Sequence, residues 1–257
     1  MSLYEWKLFD LGRDKAFVGL DNFLRIFSDE LFVNAAANTL TIVFFCLIVE
    51  LVLGFCIALS LWNIQRSLKA VHALILLPMI TSPVIVALIW RLIYDPQFGI
   101  LNYVLRTVLG IANPAWLGDA NLALPSVIIV DIWQMTSFVI LILYASMTNI
   151  PLDCVEAAVV DGASYGQMVR YVIIPSSLSA VVLVMMLRTM DLFRIFDTIY
   201  VLTRGGPGSA TESLSTYIYK TSFLHYDMGY AMALSLITLA CIIIISMSYM
   251  KATKISG

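Results

Sequence analysis

Five ionisable side chains lie inside apolar stretches of this sequence, where a charge is costly to bury. Glu50 lies near the middle of the first stretch and Asp131 in the third, while Arg188, Asp191 and Arg194 follow one another at intervals of three in the fourth. Ionisable groups within a membrane span are candidates for function, because placing a charge in the bilayer costs free energy. Arg188 and Asp191 could equally neutralise each other inside the protein.

A neutral polyol is bound by aromatic faces together with amide and charged groups that form paired hydrogen bonds. Trp133 and Gln134 lie near the middle of their apolar stretch, level with Arg188 in its own. The predicted substrate path is therefore lined by Trp133, Gln134, Phe138, Arg188 and Asp191.

Other reactive residue types form no constellation in the sequence. His72 and His225 lie near opposite faces of the predicted membrane, and the four cysteines form no CxxC pair, so neither a catalytic set nor a metal site is expected. The run Gly205-Gly206-Pro207-Gly208 cannot be helical and predicts a flexible outer loop. It follows no strand and lacks the Lys-Ser/Thr ending of a nucleotide loop, so phosphate binding is not expected. No basic run is present that could follow phosphates, and nucleic acid is not an expected partner.

Composition places these residues in a membrane protein. Of the 257 residues, 61% are hydrophobic and 12% are charged, whereas soluble domains average about 25% charged residues. Five stretches are long enough to cross a hydrocarbon core as helices. They cover about residues 38–61, 71–94, 122–147, 172–200 and 231–250. The predicted class is an all-α integral membrane protein.

Lysine and arginine in the short loops predict its orientation. Five basic residues fall on one side of the membrane: Arg66, Lys69, Arg170, Lys251 and Lys254. We assign that side, with segments 62–70, 148–171 and 251–257, to the cytoplasm. Residues 1–37 then lie outside, although they carry ten charged side chains and no signal-peptide pattern. We therefore expect an earlier span to precede Met1, unless the orientation is inverted.

The predicted outer segment contains a helix of its own. The stretch LDNFLRIFSDELFVNAAANTL predicts a helix capped by Asp21, with Phe23, Ile26 and Phe27 on one side. We expect this helix to lie along the membrane surface before the chain turns inward near Asn38.

The segment from Pro151 to Pro175 predicts two short helices on the cytoplasmic side. Pro151 suits the first turn of a helix, and Gly162 suits the left-handed residue that ends one. Ser164 and Gln167 have the spacing of a capping box, which begins a second helix. These patterns alone leave open whether the segment is a simple loop or a rigid lever.

The same segment resembles the EAA loop of ABC importer permeases. The pattern of that loop is E-A-A, three residues, glycine, nine residues and I-x-L-P. Glu156-Ala157-Ala158, Gly162 and Pro175 fall at this spacing, and Val172 and Ile174 replace the usual Ile and Leu with other apolar side chains. The D-G-A-S version of the pattern is similar to the carbohydrate-uptake branch of the family.

The resemblance covers essentially the whole chain, because residues 17–40 and 193–223 are also similar to sugar permeases. It implies a type I ABC importer permease fold in the bacterial inner membrane, with five transmembrane helices present and six in the complete protein. The implied partners are a second permease, two ATPase subunits and an external binding protein that delivers a sugar-like solute. The implied ATPase-coupling residues are Glu156, Ala157, Ala158, Asp161, Gly162 and Pro175.

The chain then divides into an external lead-in (1–37), a transmembrane permease domain (38–250) and a cytoplasmic tail (251–257). The resemblance implies that this chain binds no cofactor and is not an enzyme, since the partner ATPases bind ATP and Mg²⁺. A secondary active transporter is the alternative function; it would show internal repeats and broken helices and would need no EAA loop. An intramembrane enzyme or a structural subunit without its own pathway fits less well.

Overall fold

The computed structural model describes residues 1–7, 16–64, 69–110 and 114–255. Two short strands, β1 (Tyr4–Glu5) and β2 (Ala16–Phe17), pair antiparallel near the N-terminus. The helices are α1 (Asp21–Phe27), α2 (Glu30–Asn63), α3 (Lys69–Ile80), α4 (Pro83–Ile93), α5 (Ile100–Val104), α6 (Ala120–Thr148), α7 (Leu152–Val160), α8 (Tyr165–Met168), α9 (Ile174–Phe193), α10 (Asp197–Leu202), α11 (Leu214–Phe223) and α12 (Met228–Ile255). Outside the described residues lie Arg66, residues 256–257 and four of the ten charged residues counted in segment 1–37, namely Asp10, Arg13, Asp14 and Lys15.

Four continuous helices in the described part of the chain are long and apolar enough to cross a membrane. They are α2, α6, the helix Tyr165–Phe193 that contains α8 and α9, and most of α12. The second predicted span, residues 71–94, is not one helix: α3 and α4 meet at an angle of 99°. Pro83 begins α4 and has no N–H to continue the hydrogen bonds of α3, and Pro78 lies inside the last turns of α3. With this bent pair counted as one span, the predicted five are present.

Several predicted helix boundaries differ from those in the structure. Helix α2 begins at Glu30, well before Asn38, and its 34 residues correspond to about 51 Å, which exceeds a hydrocarbon core of about 30 Å. The fourth span ends at Phe193, and α10 is a separate helix. The predicted tail continues α12 as a helix to Ile255. Asp21 lies in the first turn of α1 and accepts no capping hydrogen bond.

The spans pack around two apolar clusters, one toward each end of the bundle. Ile42, Val127 and Leu234 belong to the cluster nearer the start of α2, whereas Leu143 and Val184 belong to the other. Helices α2 and α6 lie close together at Gly54, where a β-carbon would lie 2.5 Å from Val139 Cγ1. The close approach leaves no room for a side chain at this position.

Asp29 joins three helices at the start of α2. Its Oδ1 accepts the N–H groups of Leu31 and Phe32 and so caps α2, while its Oδ2 accepts the hydroxyls of Tyr217 and Tyr230, both at 2.5 Å. Partial burial opposes ionisation, but the hydrogen bonds from the two tyrosines and the backbone outweigh it and lower the pKa of Asp29. The carboxylate therefore holds α2, α11 and α12 together at this end.

We predict that Asp29→Ala lowers the free energy of unfolding by about 1–2 kcal/mol at neutral pH, because a helix cap and the acceptor of two hydroxyls are lost. Since folding lowers the pKa of Asp29, its contribution is present above the unfolded-state pKa of about 3.9 and is lost as the pH falls through the folded-state value. Thermal unfolding midpoints in detergent should differ at neutral pH and converge in acid. The control is Asp21→Ala, because this carboxylate caps no helix in the described structure. Equal unfolding midpoints for Asp29→Ala and the wild type at neutral pH would contradict the prediction.

The glycine-rich connector between α10 and α11 is hydrogen-bonded to helix α2, which the expectation of a flexible outer loop did not include. The hydroxyl of Thr211 donates to the carbonyl of Gly206 at 2.8 Å. The side-chain amides of Asn34 and Asn38 donate to the carbonyl of Ser209 at 2.7 and 3.1 Å. Polar side chains distant in the sequence thus satisfy the backbone of this connector.

Candidate functional site

The coupling segment, residues 151–175, begins with a helix that ends in a hydrogen-bonded turn. Gly162 has φ +75°, and its N–H donates to the carbonyl of Val159 at 3.0 Å. The N–H of Ala163 donates to the carbonyl of Ala158, also at 3.0 Å. This pair of bonds is a Schellman motif, which needs a left-handed residue at its centre. The predicted bend at Gly162 is confirmed.

The second helix of the coupling segment runs without a break into the membrane-spanning α9. The backbone N–H of Ser164 donates to Oε1 of Gln167 at 2.7 Å, as the capping-box spacing predicts. A π-helical turn, Val169–Ile173, joins α8 to α9, and the combined helix extends to Phe193. Pro175 follows this turn and has no N–H to donate, which accounts for the local change in hydrogen bonding. The second part of the segment, from Tyr165, is therefore the first part of a helix that extends to Phe193.

One face of the coupling segment packs on the bundle and the other is exposed. Val155 and Met168 pack against the apolar cluster at this end, and the side-chain amide of Asn63 donates to the hydroxyl of Tyr165 at 2.5 Å. The free face mixes apolar and charged side chains; its exposed residues include Leu152, Asp153, Glu156, Ala157, Val159, Val160, Asp161, Gly162, Arg170, Tyr171 and Pro175. Ala158 is half-buried. Exposed apolar side chains rimmed by polar ones suit a protein interface.

Three charged side chains from three spans meet inside the bundle. Arg188 on α9 donates through Nε and Nη2 to both carboxylate oxygens of Glu50 on α2, at 2.7 and 2.8 Å. Its Nη2 also donates to Oδ2 of Asp131 on α6 at 2.5 Å. Asp191 instead pairs with Arg194 at 3.3 Å, where both are exposed. Neutralisation of Arg188 by Asp191, considered from the sequence, is therefore wrong.

Two members of this cluster, Asp131 and Arg188, line a polar cavity of about 390 Å³. The lining residues come from α4, α6, α9, α10 and the connection between the last two: Pro83, Asp131, Gln134, Met135, Arg188, Asp191, Arg194, Ile195, Phe196, Asp197 and Thr198. Gln134 donates to the carbonyl of Thr81 at 2.9 Å and so satisfies a backbone group at the break between α3 and α4. The cavity presents hydrogen-bond donors and acceptors, among them aspartate carboxylates and arginine guanidinium groups, beside the ring of Phe196.

The structure places three of the five predicted path residues at this cavity. Gln134, Arg188 and Asp191 line it, whereas Trp133 and Phe138 are not among the described lining residues. Trp133 is next to Gln134 in the chain, so it points about 100° away around the helix, where its ring meets the ring of Trp90 at 5.8 Å.

The contributions of α4 and α10 to the cavity were missed. The two prolines that break the second span were the available signal for α4. The reversal of the chain after Phe193, which brings in Asp197 and Thr198, has no comparable signal.

Cys46, Glu50 and Asp131 bring possible metal ligands within 4.8 Å of one another. The guanidinium of Arg188 already donates to both carboxylates and supplies their positive partner. The group is therefore an ion-pair network, and it gives no reason to assign a metal.

A membrane bundle that encloses a polar cavity, and whose lining helix continues into an exposed segment at one end, is typical of a solute permease. Residues 50–252 match the family described as binding-protein-dependent transport system inner membrane component. The chain belongs to this family, and the resemblance to ABC importer permeases is confirmed. The break in the second span is compatible with this class, and the secondary-transporter alternative is set aside.

Similar proteins cover nearly the whole chain. The trehalose/maltose transport system permease protein MalF of Thermococcus litoralis is 34% identical over 94% of this chain and 81% of its own length. The probable ABC transporter permease protein YurN of Bacillus subtilis is 31% identical over 99% of this chain and 87% of its own. A chain of a bacterial ABC transporter for import of the acidic polysaccharide alginate superimposes with a TM-score of 0.83, at 25% identity, over 93% of this chain and 84% of that one.

Proposed function

We propose that this chain is one of two permease subunits of an ABC importer in the bacterial inner membrane. It receives a sugar or sugar-like solute from an external binding protein and forms half of the path across the membrane. Two partner ATPase subunits bind Mg²⁺ and ATP and carry out the hydrolysis. Relatives described as transporting trehalose or maltose support the solute class, as does a similar structure solved with an alginate-bound periplasmic protein.

The observation that carries this proposal is the continuity between the coupling segment and the cavity. The helix Tyr165–Phe193 begins in the coupling segment and carries Arg188 at the cavity wall. Its length of 29 residues corresponds to about 43 Å. A partner that moves the coupling segment therefore also moves the cavity wall, whereas a flexible loop would absorb the motion.

The cavity suits a hydroxyl-rich solute. Gln134, Thr198 and the charged groups can donate and accept hydrogen bonds, and Phe196 adds an aromatic side chain to the lining. Opposite charges near one another bind hydroxyls without demanding a net charge on the solute. Mass spectrometry of the sugar that the external binding protein retains on purification would identify the particular solute.

The coupling assignment predicts the effect of Glu156→Arg. Glu156 lies on helix α7, on the free face of the coupling segment, and we expect it to pair with a basic or hydrogen-bonding group of an ATPase subunit. Reversing its charge should weaken ATPase binding by about tenfold, which corresponds to about 1.4 kcal/mol. Copurification of the ATPase subunits with the detergent-solubilised chain measures this.

Glu30→Arg is the matched control for this experiment. Glu30 is also exposed but lies at the start of α2, at the end of the bundle opposite the coupling segment. It should leave ATPase copurification unchanged. Equal copurification by the Glu156 and Glu30 variants would show that Glu156 lies outside the ATPase interface.

A further inference from the structure

The cluster of Arg188, Glu50 and Asp131 is an expensive way to hold three spans together. The exposed fractions are 1% for Arg188, 0% for Glu50 and 6% for Asp131. Removing such charges from water costs several kcal/mol each, and a buried ion pair is often no more stabilising than well-packed apolar side chains. Stability alone therefore does not explain why three spans carry these charges.

The two carboxylates hold the guanidinium unequally. Glu50 accepts two hydrogen bonds, one on each oxygen, whereas Asp131 accepts one. A bidentate contact is the stronger and more directional of the two. In addition, Asp131 lines the polar cavity, while Glu50 lies behind it. If α9 moves, the contact with Asp131 is the one that breaks at lower cost, because its carboxylate has a polar space to enter.

The position of Arg188 connects this contact to the coupling segment. Arg188 lies 23 residues after Tyr165 on one helix, which places it about 35 Å from the start of that helix in the coupling segment. The stable pair with Glu50 links that helix to α2, and the weaker contact links it to α6. Helix α9 also packs on α6 through the apolar cluster that contains Leu143 and Val184, and the bond to Asp131 adds a polar link from Arg188 to α6 at the cavity.

We propose that Asp131 is a positioning residue that alternates between Arg188 and the polar cavity during transport. In the state described here Arg188 holds it; when α9 moves, its carboxylate turns into the cavity, where it accepts hydrogen bonds from solute hydroxyls or water. This exchange makes the shape of the solute cavity depend on the position of the coupling segment. It rests on the proposed function, because it assigns a role within the transport cycle.

The test uses the complete transporter in proteoliposomes, with the binding protein and its sugar. Two quantities are measured: ATPase stimulation by the loaded binding protein, and sugar molecules transported per ATP hydrolysed. Asp131→Asn keeps the shape of the side chain and leaves Arg188 and Glu50 as a neutral pair. It should assemble normally yet lower the number of sugars transported per ATP by at least about fivefold, the lower end of coupling between distinct sites.

Two further variants separate this role from a structural one. Asp131→Glu restores the charge and should recover most of the coupling. Arg25→Met removes a cation that pairs with Asp227, at the end of the bundle away from the coupling segment. This variant should leave the coupling unchanged. If Asp131→Asn fails to assemble, the neutral triple variant Glu50→Gln, Asp131→Asn, Arg188→Met takes its place, with the same expected loss.

The outcomes distinguish this inference from the proposed function. If the wild-type complex shows no ATPase stimulation by the loaded binding protein, the proposed function fails, and this inference fails with it. Suppose that the wild type is coupled and that the variant lacking the Asp131 charge assembles. If its number of sugars transported per ATP is then less than about fivefold below the wild-type number, only the role of Asp131 is overturned. A larger loss with normal assembly supports the role.

Discussion

Arg188→Met is expected to lower the free energy of unfolding of this chain by about 3–5 kcal/mol, because removing one member of a buried ionic group leaves the others uncompensated. Arg188 is the donor to both Glu50 and Asp131, so the variant leaves two carboxylates without their cation. Thermal unfolding of the purified, detergent-solubilised chain, followed by tryptophan fluorescence, measures the effect.

Two controls identify the buried charge as the cause. The triple variant Glu50→Gln, Asp131→Asn, Arg188→Met removes all three charges together and should unfold within about 1 kcal/mol of the wild type. Arg25→Met, at a partly exposed ion pair, should cost no more than about 1 kcal/mol. If the single and triple variants are destabilised equally, lost packing rather than unpaired charge explains the result.

Gly162→Val is expected to reduce ATPase stimulation by the loaded binding protein by about tenfold while membrane insertion stays normal. Gly162 has φ +75°, a conformation that costs a residue with a β-carbon about 1–2 kcal/mol and a β-branched one more. A β-carbon there would meet nothing within 4 Å, so the cost of the substitution comes from backbone strain and not from a steric clash. Relaxing that strain reorients α7 relative to α8. ATPase assays on the reconstituted transporter measure the loss.

Gly110→Val is the matched control for the Gly162 variant. Gly110 has φ +66°, and a β-carbon there also meets nothing within 4 Å. It follows the π-helical turn Leu105–Leu109, far in the sequence from the coupling segment. The same backbone cost at Gly110 should leave ATPase stimulation intact. Equal loss in both variants would indicate general destabilisation and would contradict the role assigned to the bend at Gly162.

Most of the fold could be predicted from the sequence, because its signals are local. Apolar runs of about 20 residues located the spans, and the third predicted span, 122–147, differs from α6 by only a few residues. The capping box at Ser164 and the left-handed Gly162 were predicted for the same reason. Helix ends in the outer parts were predicted less well: Asp29 caps α2, yet the apolar pattern begins only several residues later.

The candidate site could be predicted only in part. Each costly charge was identified, since an ionisable residue in an apolar run is visible without a structure. The partner of Arg188 was not, and Trp133 was assigned to a cavity that its neighbour Gln134 lines. Neither the direction in which a helix faces its neighbours nor the break before α10 follows from composition.

The sequence by itself determined the membrane class, the number of apolar spans and the coupling segment with its bend, because hydrophobicity, capping and glycine backbone freedom act within a few residues. Only the tertiary structure decided that Arg188 binds Glu50 and Asp131, which lie 138 and 57 residues away in the chain. The physical reason is that such contacts depend on the relative depth and rotation of packed helices, which are set by the whole bundle.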